Sequence, residues 1–171
     1  ATTGSDANPG TLALPFRTVQ KAANLVVPGD SVIIRGGTYT ISDVPEWTPV
    51  LEVTTSGTAS APITFQAYQQ PDGRYDTVIL DAQKIYLRAA WIHRCSHIIL
   101  DGLTFANGKR EGLMLGRGGT TSTDPLADPV GNITVRNCVA YNNAEPNTKY
   151  AGFEITGGSQ FILIERCESY N

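Results

Sequence analysis

Three stretches decide the fold of this chain: HIILDGLTFAN (97–107), NITVRNCVAYNN (132–143) and FILIERCESYN (161–171). They align without gaps, and similar residues fall at matching positions: Ile98, Ile133 and Ile162, then Leu100, Val135 and Ile164, then Leu103, Cys138 and Cys167, and finally Asn107, Asn142 and Asn171. The matching positions are 35 and then 29 residues apart. Similarity that returns at intervals of roughly 20 to 50 residues is typical of repeat proteins, whose repeats pack on their neighbours.

The segments between these stretches indicate several short strands in each repeat. After Asp30 the chain consists of β-rich runs separated by glycine, asparagine or proline turns, and GLMLG (112–116) matches GFEIT (152–156) one repeat later. The spacings that leucine-rich repeats or propeller blades need are absent. Apolar residues facing inward and asparagines in register predict an all-β fold, a parallel β-helix, in which like side chains stack between coils about 4.8 Å apart.

A short helix is predicted before the first strand. Apolar residues there recur at three- and four-residue steps, the period of an amphipathic helix: Phe16, Val19, Ala22, Ala23 and Val26. The turn VPGD ends the pattern. We therefore expect a single domain over 1–171, with a cap region at 1–30, a capping helix at about 16–26 and β-helix coils at 31–171.

The alignment stops within a repeat at Asn171. A parallel β-helix that stopped there would expose a strand edge and part of its apolar core. We therefore expect the chain to be the N-terminal portion of a longer β-helix, truncated at its C-terminal end. Either the remainder of the β-helix or another chain would cover that edge. The alternative is a short protein that is capped by dimerisation.

Composition limits the possible partners. The net charge is −3, with 13 Lys and Arg against 16 Asp and Glu, so we expect no nucleic-acid binding. No apolar run approaches the roughly 20 residues that span a bilayer, so we expect no membrane partner. The first residue, Ala1, suggests removal of a signal peptide, and the abundant Gly, Pro, Thr, Ser and Asn suit a secreted, extracellular protein. Cys138 and Cys167 are expected to be buried free thiols rather than a disulfide.

The opening of the chain carries a family resemblance. GSDANPGTLALPFRTVQKAANLVVPGDSVIIRGGTYT (4–40) resembles the cap and first coil of secreted, largely bacterial right-handed parallel β-helix proteins, notably pectate lyases of polysaccharide lyase family nine. The matching elements are G-x-D-x-N-P-G-T, P-F-x-T-x-Q-x-A, P-G-D and R-G-G-T-Y. Later coils such as HIILDGLTFANG keep the same pattern, so the likeness extends over most of the chain.

The resemblance implies an enzyme that cleaves an acidic polysaccharide, most simply pectate, by calcium-assisted β-elimination. In such enzymes calcium held by aspartates neutralises a uronate carboxylate, and a neutral lysine removes the neighbouring proton. The aspartate cluster follows a coil that ends like RCESYN, so the catalytic residues are expected beyond Asn171, and this chain alone is expected to be inactive. The alternative is a non-catalytic carbohydrate-binding or cell-surface β-helix module.

Candidate site residues within the chain lie around the turns that lead into the repeated strand GLMLG and GFEIT. With Phe153 and Ile155 inward, Glu154 should point outward, on the strand that lines the groove of the proteins this chain resembles. Substrate binding is predicted for these residues: Lys109, Arg110, Arg117, Lys149, Tyr150 and Glu154. Arginine and lysine would pair with sugar carboxylates, and Tyr150 would stack on a sugar ring. The resemblance allows one calcium ligand in the same turn, for which the chain offers Glu145.

The segment HRCSH places three metal-binding side chain types at alternate positions: His93, Cys95 and His97. On a continuous strand they would share one face. Structural zinc usually has a fourth protein ligand, and none is evident nearby. The segment is therefore interpreted as a bend before the next strand, with Cys95 buried, rather than as a metal site.

Overall fold

A computed structural model describes residues 1–116, 130–157 and 159–171. Within those ranges the secondary structure is one short helix, α1 (Val19–Ala23), and a series of short strands. The strands are β1 (Ser31–Ile34), β2 (Gly37–Tyr39), β3 (Leu51–Val53), β4 (Ile63–Ala67), β5 (Val78–Asp81), β6 (Arg88–Ile92), β7 (Ser96–Asp101), β8 (Leu103–Ala106), β9 (Glu111–Leu115), β10 (Gly131–Arg136), β11 (Val139–Tyr141), β12 (Phe153–Ile155), β13 (Gln160–Glu165) and β14 (Glu168–Tyr170).

The strands form three parallel sheets that the chain visits in turn. Sheet A has the order β1-β4-β7-β10-β13, sheet B has β2-β5-β8-β11-β14, and sheet C has β3-β6-β9-β12. Every strand pair in these sheets is parallel, and each strand pairs with the strand three elements later. One coil therefore contributes one strand to each sheet, which confirms the predicted parallel β-helix.

The register of sheet A is the one that the sequence alignment predicts. Ile133 pairs with both Ile98 and Ile162, and Val135 pairs with both Leu100 and Ile164. Ile98, Leu100, Ile133 and Val135 are fully buried, because alternate residues of each strand point into the coil. The repeat in the sequence is therefore a stack of like side chains along the core.

The corners between sheets are held by side-chain ladders. At the corner after sheet B, the Asn142 amide donates to Asn107 Oδ1 (2.7 Å), and the Asn107 amide donates to Asp81 Oδ1 (2.7 Å). Asn107 and Asn142 have φ of 59° and 50°, a left-handed conformation that asparagine tolerates better than most residues. The predicted asparagine stack is thus present between these two residues, and Asp81 extends it by one coil.

A second ladder lies at the corner between sheets A and B. The Asn137 amide donates to Asp101 Oδ1 at 2.7 Å, and its own oxygen accepts from Arg166 Nε at 2.9 Å. The backbone at this corner is left-handed in successive coils, with φ of 70° at Gly102, 54° at Asn137 and 51° at Arg166. The two ladders join neighbouring coils outside the apolar core.

The capping helix is shorter than predicted. The expected span of about 16–26 contracts to Val19–Ala23, with Thr18 as N-cap and Asn24 as C-cap. Asp6 accepts hydrogen bonds from the backbone N–H groups of Arg17 (2.9 Å) and Thr18 (2.8 Å), which holds these two residues outside the helix. Periodicity alone could not reveal this, because Asp6 comes from a distant loop.

The helix caps the first coil with a side chain as well as with its apolar face. It packs against β1 and β3. The Gln20 amide donates to the carbonyl of Glu52 (3.1 Å) and its oxygen accepts from the Glu52 N–H (2.7 Å). These are the bonds that another strand would make with β3. Gln20 therefore provides hydrogen-bond partners for the backbone of Glu52 at the edge of sheet C, where no further strand pairs with β3.

The other end of the stack has large exposed apolar side chains. On β12, β13 and β14, the exposed fractions are 45% for Ile155, 76% for Phe161, 50% for Leu163 and 56% for Tyr170.

Cys95, Cys138 and Cys167 are free thiols. Cys138 is buried, and its backbone N–H lies 3.4 Å from Cys167 Sγ in the next coil.

Candidate functional site

One row of side chains crosses the outer face of sheet C. Strand register places Glu52, Trp91, Met114 and Glu154 side by side on β3, β6, β9 and β12. The residues that flank each of the first three in its strand are buried in the core: Leu51 and Val53, Ala90 and Ile92, and Leu113 and Leu115. Since side chains alternate along a strand, this row points away from the core, and it runs for about 14 Å across four coils. Glu154 lies where the sequence predicts it.

A buried ion pair lies beside this row. Arg88 and Glu111 are paired in register at the start of β6 and β9. Arg88 Nε lies 3.0 Å from Glu111 Oε2, and the two side chains are only 4% and 0% exposed. Removing two charges from water is unfavourable unless they contact each other closely, as these two do. Sequence reasoning missed this pair, although Arg88 and Glu111 open the two strands that align one coil apart.

Arg110 connects the ion pair to the turn before β12. Its Nε lies 3.5 Å from Glu111 Oε1, and its guanidinium carbon lies 4.0 Å from the centre of the Tyr150 ring. The predicted binding residues Arg110 and Tyr150 are therefore in contact. Arg110 already has a carboxylate and an aromatic ring as partners, both from this chain.

Glu154 lies beside the ion pair on the neighbouring strand β12. Burial raises the pKa of its carboxyl, the charge of Glu111 raises the pKa further, and Arg110 and Arg88 oppose both effects. Its Oε2 is buried, and no hydrogen-bond partner is found for it in the described part of the chain. Glu111 Oε1 and Arg110 Nε are buried too, and they face each other at 3.5 Å as an ion pair without the geometry of a hydrogen bond. We refer to Arg88, Arg110, Glu111 and Glu154 as the charged cluster.

An aromatic group lies at the other end of the row. The rings of Trp91 and His93 are stacked, with centres 3.8 Å apart and planes at 14°. His93 Nε2 lies 2.9 Å from Glu52 Oε1, and the Trp91 indole N–H donates to the carbonyl of Gly116 at 2.7 Å. The Arg88 guanidinium carbon lies 4.8 Å from the Trp91 ring centre. Trp91 thus joins the charged cluster to the Glu52–His93 pair, a role that sequence reasoning did not predict.

The remaining predicted residues have separate positions. Lys109 Nζ forms an ion pair with Glu46 Oε2 at 3.2 Å. Lys149 and Glu145 are exposed on the turn before β12, where Glu145 supplies its carbonyl oxygen to the N–H and hydroxyl of Thr148. Arg117 lies outside the described residues. Substrate binding by these residues and metal binding by Glu145 remain predictions.

The described residues do not supply a calcium site by themselves. Nowhere in ranges 1–116, 130–157 and 159–171 do three or more His, Cys, Asp or Glu side chains come together in a way that could hold a metal ion. Calcium usually takes six to eight oxygen ligands, and in the charged cluster the Glu111 carboxylate is already paired with Arg88 and Arg110. In the segment with His93, Cys95 and His97, two of these side chains have partners within the chain. Its His93 contacts Glu52, and the Cys95 thiol donates to the carbonyl of Val53.

A cavity of about 510 Å³ lies away from sheet C, between the cap and β1. Its walls are mainly apolar and include Leu12, Leu25 and Ile33. The cavity also has aromatic and charged groups, among them Tyr39, Tyr68 and Arg35. We take the outer face of sheet C as the candidate site because three side chains predicted to bind substrate lie at or beside it: Arg110, Tyr150 and Glu154.

The whole chain, residues 1–171, matches the family model described as the Pel9A-like, right-handed β-helix region. The chain belongs to the Pel9A-like family. The curated relative Pectate lyase PEL9 of Emericella nidulans is 35% identical to it over 82 residues, which are 48% of this chain and 17% of that protein. The Pel9A-like chain therefore spans only a small part of the length of this relative.

Solved structures show the same fold at low sequence identity. A rhamnogalacturonan lyase matches 99% of the Pel9A-like chain and 50% of its own length, at 21% identity and a TM-score of 0.64. The GH136 lacto-N-biosidase of Eubacterium ramulus matches 98% of this chain and 33% of its own, at 16% identity and a TM-score of 0.69. These two enzymes carry out different reactions by their names, so the shared coil does not determine the activity. In the described ranges, the Pel9A-like chain has no helix that is long and apolar enough to cross a membrane.

Proposed function

We propose that this chain is the N-terminal part of a secreted polysaccharide lyase that cleaves a uronate-containing polysaccharide, pectate first, by calcium-assisted β-elimination. The observation that carries the proposal is the match of all 171 residues to the Pel9A-like model, together with a segment of 82 residues that is 35% identical to a pectate lyase. The outer face of sheet C is the surface along which the polysaccharide lies.

The contribution of this chain is to bind and orient the polymer. Trp91, Tyr150 and Glu154 offer aromatic rings and a hydrogen-bonding carboxyl group along a face that extends about 14 Å across four coils. We place the catalytic base and the calcium ligands in other parts of the longer protein, and assign no proton transfer to residues of this chain. The chain by itself is then expected to bind but not to cleave.

The edge formed by β12, β13 and β14 is part of the same proposal. Its exposed apolar residues, such as Phe161 and Leu163, and its unpaired strand edges suit a further coil. That coil comes either from the remainder of the β-helix or from another chain. Either would continue sheet C and lengthen the polysaccharide surface.

The proposal is tested with the full-length protein that contains this chain. Lyase action on polygalacturonate creates an unsaturated uronide, whose absorbance can be followed with calcium and with a chelator. We expect calcium-dependent product with the full-length protein and none with residues 1–171. If the full-length protein gives no product on pectate, alginate or chondroitin, the lyase proposal is wrong. Binding of the polymer without product would favour the non-catalytic module instead.

A further inference from the structure

Two thiols lie opposite each other in neighbouring coils, at the corner between sheets A and B. Cys138 lies between β10 and β11, and Cys167 lies between β13 and β14. The register of both strand pairs places each cysteine directly across from the other. Neighbouring strands are about 4.8 Å apart, and disulfides join residues whose Cα atoms are about 4.4 to 6.8 Å apart. The backbone separation of this pair therefore suits a disulfide.

Equivalent contacts give the two side chains the same orientation. Cys138 Sγ lies 3.1 Å from the carbonyl oxygen of Arg136, and Cys167 Sγ lies 3.3 Å from that of Glu165, in each case two residues earlier in the chain. Each sulfur also contacts a carbonyl of the preceding coil. The Cys138 N–H donates to Cys167 Sγ at 3.4 Å. The two sulfur atoms are therefore stacked between the coils.

The two thiols differ in exposure and in acidity. Cys138 is fully buried, whereas Cys167 is partly exposed. A hydrogen bond with the Cys138 thiol lowers the pKa of Cys167 to about 6; burial opposes this effect, while the Cys138 N–H and the charge of Arg166 add to it. The same hydrogen bond and burial raise the pKa of Cys138. Since a thiolate is the nucleophile in thiol–disulfide exchange, Cys167 is the sulfur that reacts first.

The third cysteine has no such partner among the described residues and serves as an internal control. The Cys95 thiol donates to the carbonyl of Val53 at 3.5 Å. Burial raises the pKa of Cys95 to about 12, so the side chain stays a thiol at neutral pH.

We propose that Cys138 and Cys167 are an oxidisable pair, which closes to a disulfide and fastens the coil of β13 and β14 to the preceding coil. The sequence predicts free thiols, and the structure shows the reduced form of the pair. The contact between the two side chains, which the sequence does not reveal, allows oxidation within the folded chain. The inference goes beyond the proposed polysaccharide function and does not depend on it.

A small-molecule disulfide is the oxidant. The Cys167 thiolate attacks one of its sulfur atoms, forms a mixed disulfide and releases one thiolate. The Cys138 thiol then attacks the Cys167 sulfur, and its proton leaves with the second thiol of the reagent. Two protein sulfur atoms are oxidised, and the two sulfur atoms of the reagent are reduced.

The disulfide fastens the part of the chain that ends the stack. It closes a loop that includes β11, β12 and β13, and closing a loop stabilises a fold mainly by restricting the unfolded chain. Phe161 and Leu163 belong to the fastened coil and are exposed where a further coil is proposed to pack. Oxidation therefore stabilises the edge that the further coil would cover.

The test oxidises the folded chain and locates the bond. The reduced chain is incubated without denaturant in an equimolar mixture of oxidised and reduced glutathione, and remaining thiols are then alkylated in denaturant. Trypsin, which cleaves after arginine and lysine, separates the two cysteines into peptides 137–149 and 167–171 and leaves Cys95 in peptide 95–109. Mass spectrometry shows which peptides are joined, and circular dichroism confirms folding of each variant.

We expect peptides 137–149 and 167–171 to be joined in more than about nine-tenths of the chains, and Cys95 to be alkylated. Stability is compared in a Cys95→Ala background, which leaves no third thiol to exchange. In that background the oxidised chain should unfold at about 1 M more urea than the reduced chain. Cys167→Ser in the same background is the matched control, and the glutathione mixture should leave its urea midpoint unchanged.

Alkylation of both Cys138 and Cys167 after the incubation would overturn the inference, and so would glutathione that stays on Cys167 as a mixed disulfide. A disulfide that leaves the urea midpoint unchanged, or lowers it, would overturn the fastening role and the inference with it. None of these results bears on the lyase, which is tested by the release of unsaturated uronide from the full-length protein.

Discussion

Breaking the buried ion pair between Arg88 and Glu111 should destabilise the chain strongly, whereas replacing both partners should not. Removing one member of a buried pair leaves an uncompensated charge, which typically costs about 3 to 5 kcal/mol. Glu111→Leu removes the carboxylate that lies 3.0 Å from Arg88 Nε and leaves the charge of Arg88, a side chain 4% exposed, beside the Trp91 ring, so we expect a penalty in this range. Arg88→Met leaves Glu111 beside Arg110 at 3.5 Å, so we expect about 3 kcal/mol, the low end of that range.

The double variant separates charge from packing. Apolar replacements of similar volume remove both desolvation penalties, and such replacements are often neutral or stabilising by about 1 to 4 kcal/mol. We therefore expect the Arg88→Met, Glu111→Leu variant to unfold at nearly the parental urea concentration. Circular dichroism in urea measures all four proteins, and the double-mutant cycle gives the coupling energy of the pair.

An exposed ion pair provides the matched control. Arg74 and Asp72 approach to 2.7 Å, but their side chains are 82% and 51% exposed. Asp72→Asn should therefore leave the urea midpoint close to that of the parent. The reasoning is refuted if the single variants at Arg88 or Glu111 are as mild as Asp72→Asn. It is also refuted if the double variant is no more stable than the worse single variant.

Three further predictions concern the cap and the corners. Gln20→Ala should lower the unfolding free energy by about 1 to 3 kcal/mol in urea, because the backbone N–H and C=O of Glu52 lose their partners; unchanged stability would contradict this. Burial raises the pKa of the Asp6 carboxyl, but hydrogen bonds from Thr18 and Arg17 lower it more, so the pKa lies below its ordinary value of 3.8. The ionised carboxylate therefore stabilises the fold at neutral pH, and this stabilisation is lost as the pH falls through the lowered pKa. Asp6→Asn should therefore cost about 1 kcal/mol at pH 7 and almost nothing near pH 2 in thermal melts, and a loss that does not depend on pH would count against the charge. Asn107→Ala should melt lower than Asn107→Gly, since both lose the ladder but only alanine is strained at φ 59°, and the reverse order would show that the left-handed corner is unimportant.

The fold can be predicted from the sequence where neighbouring coils have similar side chains at matching positions. Ile98, Ile133 and Ile162 occupy one stack, so their alignment already contains the register of sheet A. The start of the helix could not be predicted in this way. Asp6, twelve residues before Thr18, accepts a hydrogen bond from the Thr18 N–H, and the helix begins only after Thr18. A periodicity of apolar residues carries no information about such a bond.

The site was only partly predictable for a similar reason. The outward direction of Glu154 follows from strand alternation, and the structure agrees. The partner of Lys109 does not follow, because Glu46 is 63 residues away in sequence. The ion pair between Arg88 and Glu111 does not follow either, because it joins residues 23 apart. The structure adds that Lys109 and Arg110 both have carboxylate partners within this chain, and their use in substrate binding remains a prediction. Interactions between coils therefore decide what the surface can bind.

The central claim is that a sugar chain lies along the outer face of sheet C, and amide chemical shifts test it directly. The uniformly ¹⁵N-labelled chain is titrated with oligosaccharides released from pectin, which include both charged and neutral units. The account predicts shifts concentrated at 107–116 and 150–156, together with the indole N–H of Trp91. Shifts concentrated instead on the outer face of sheet A or around the cavity beneath the cap would contradict it, as would spectra that the oligosaccharides leave unchanged.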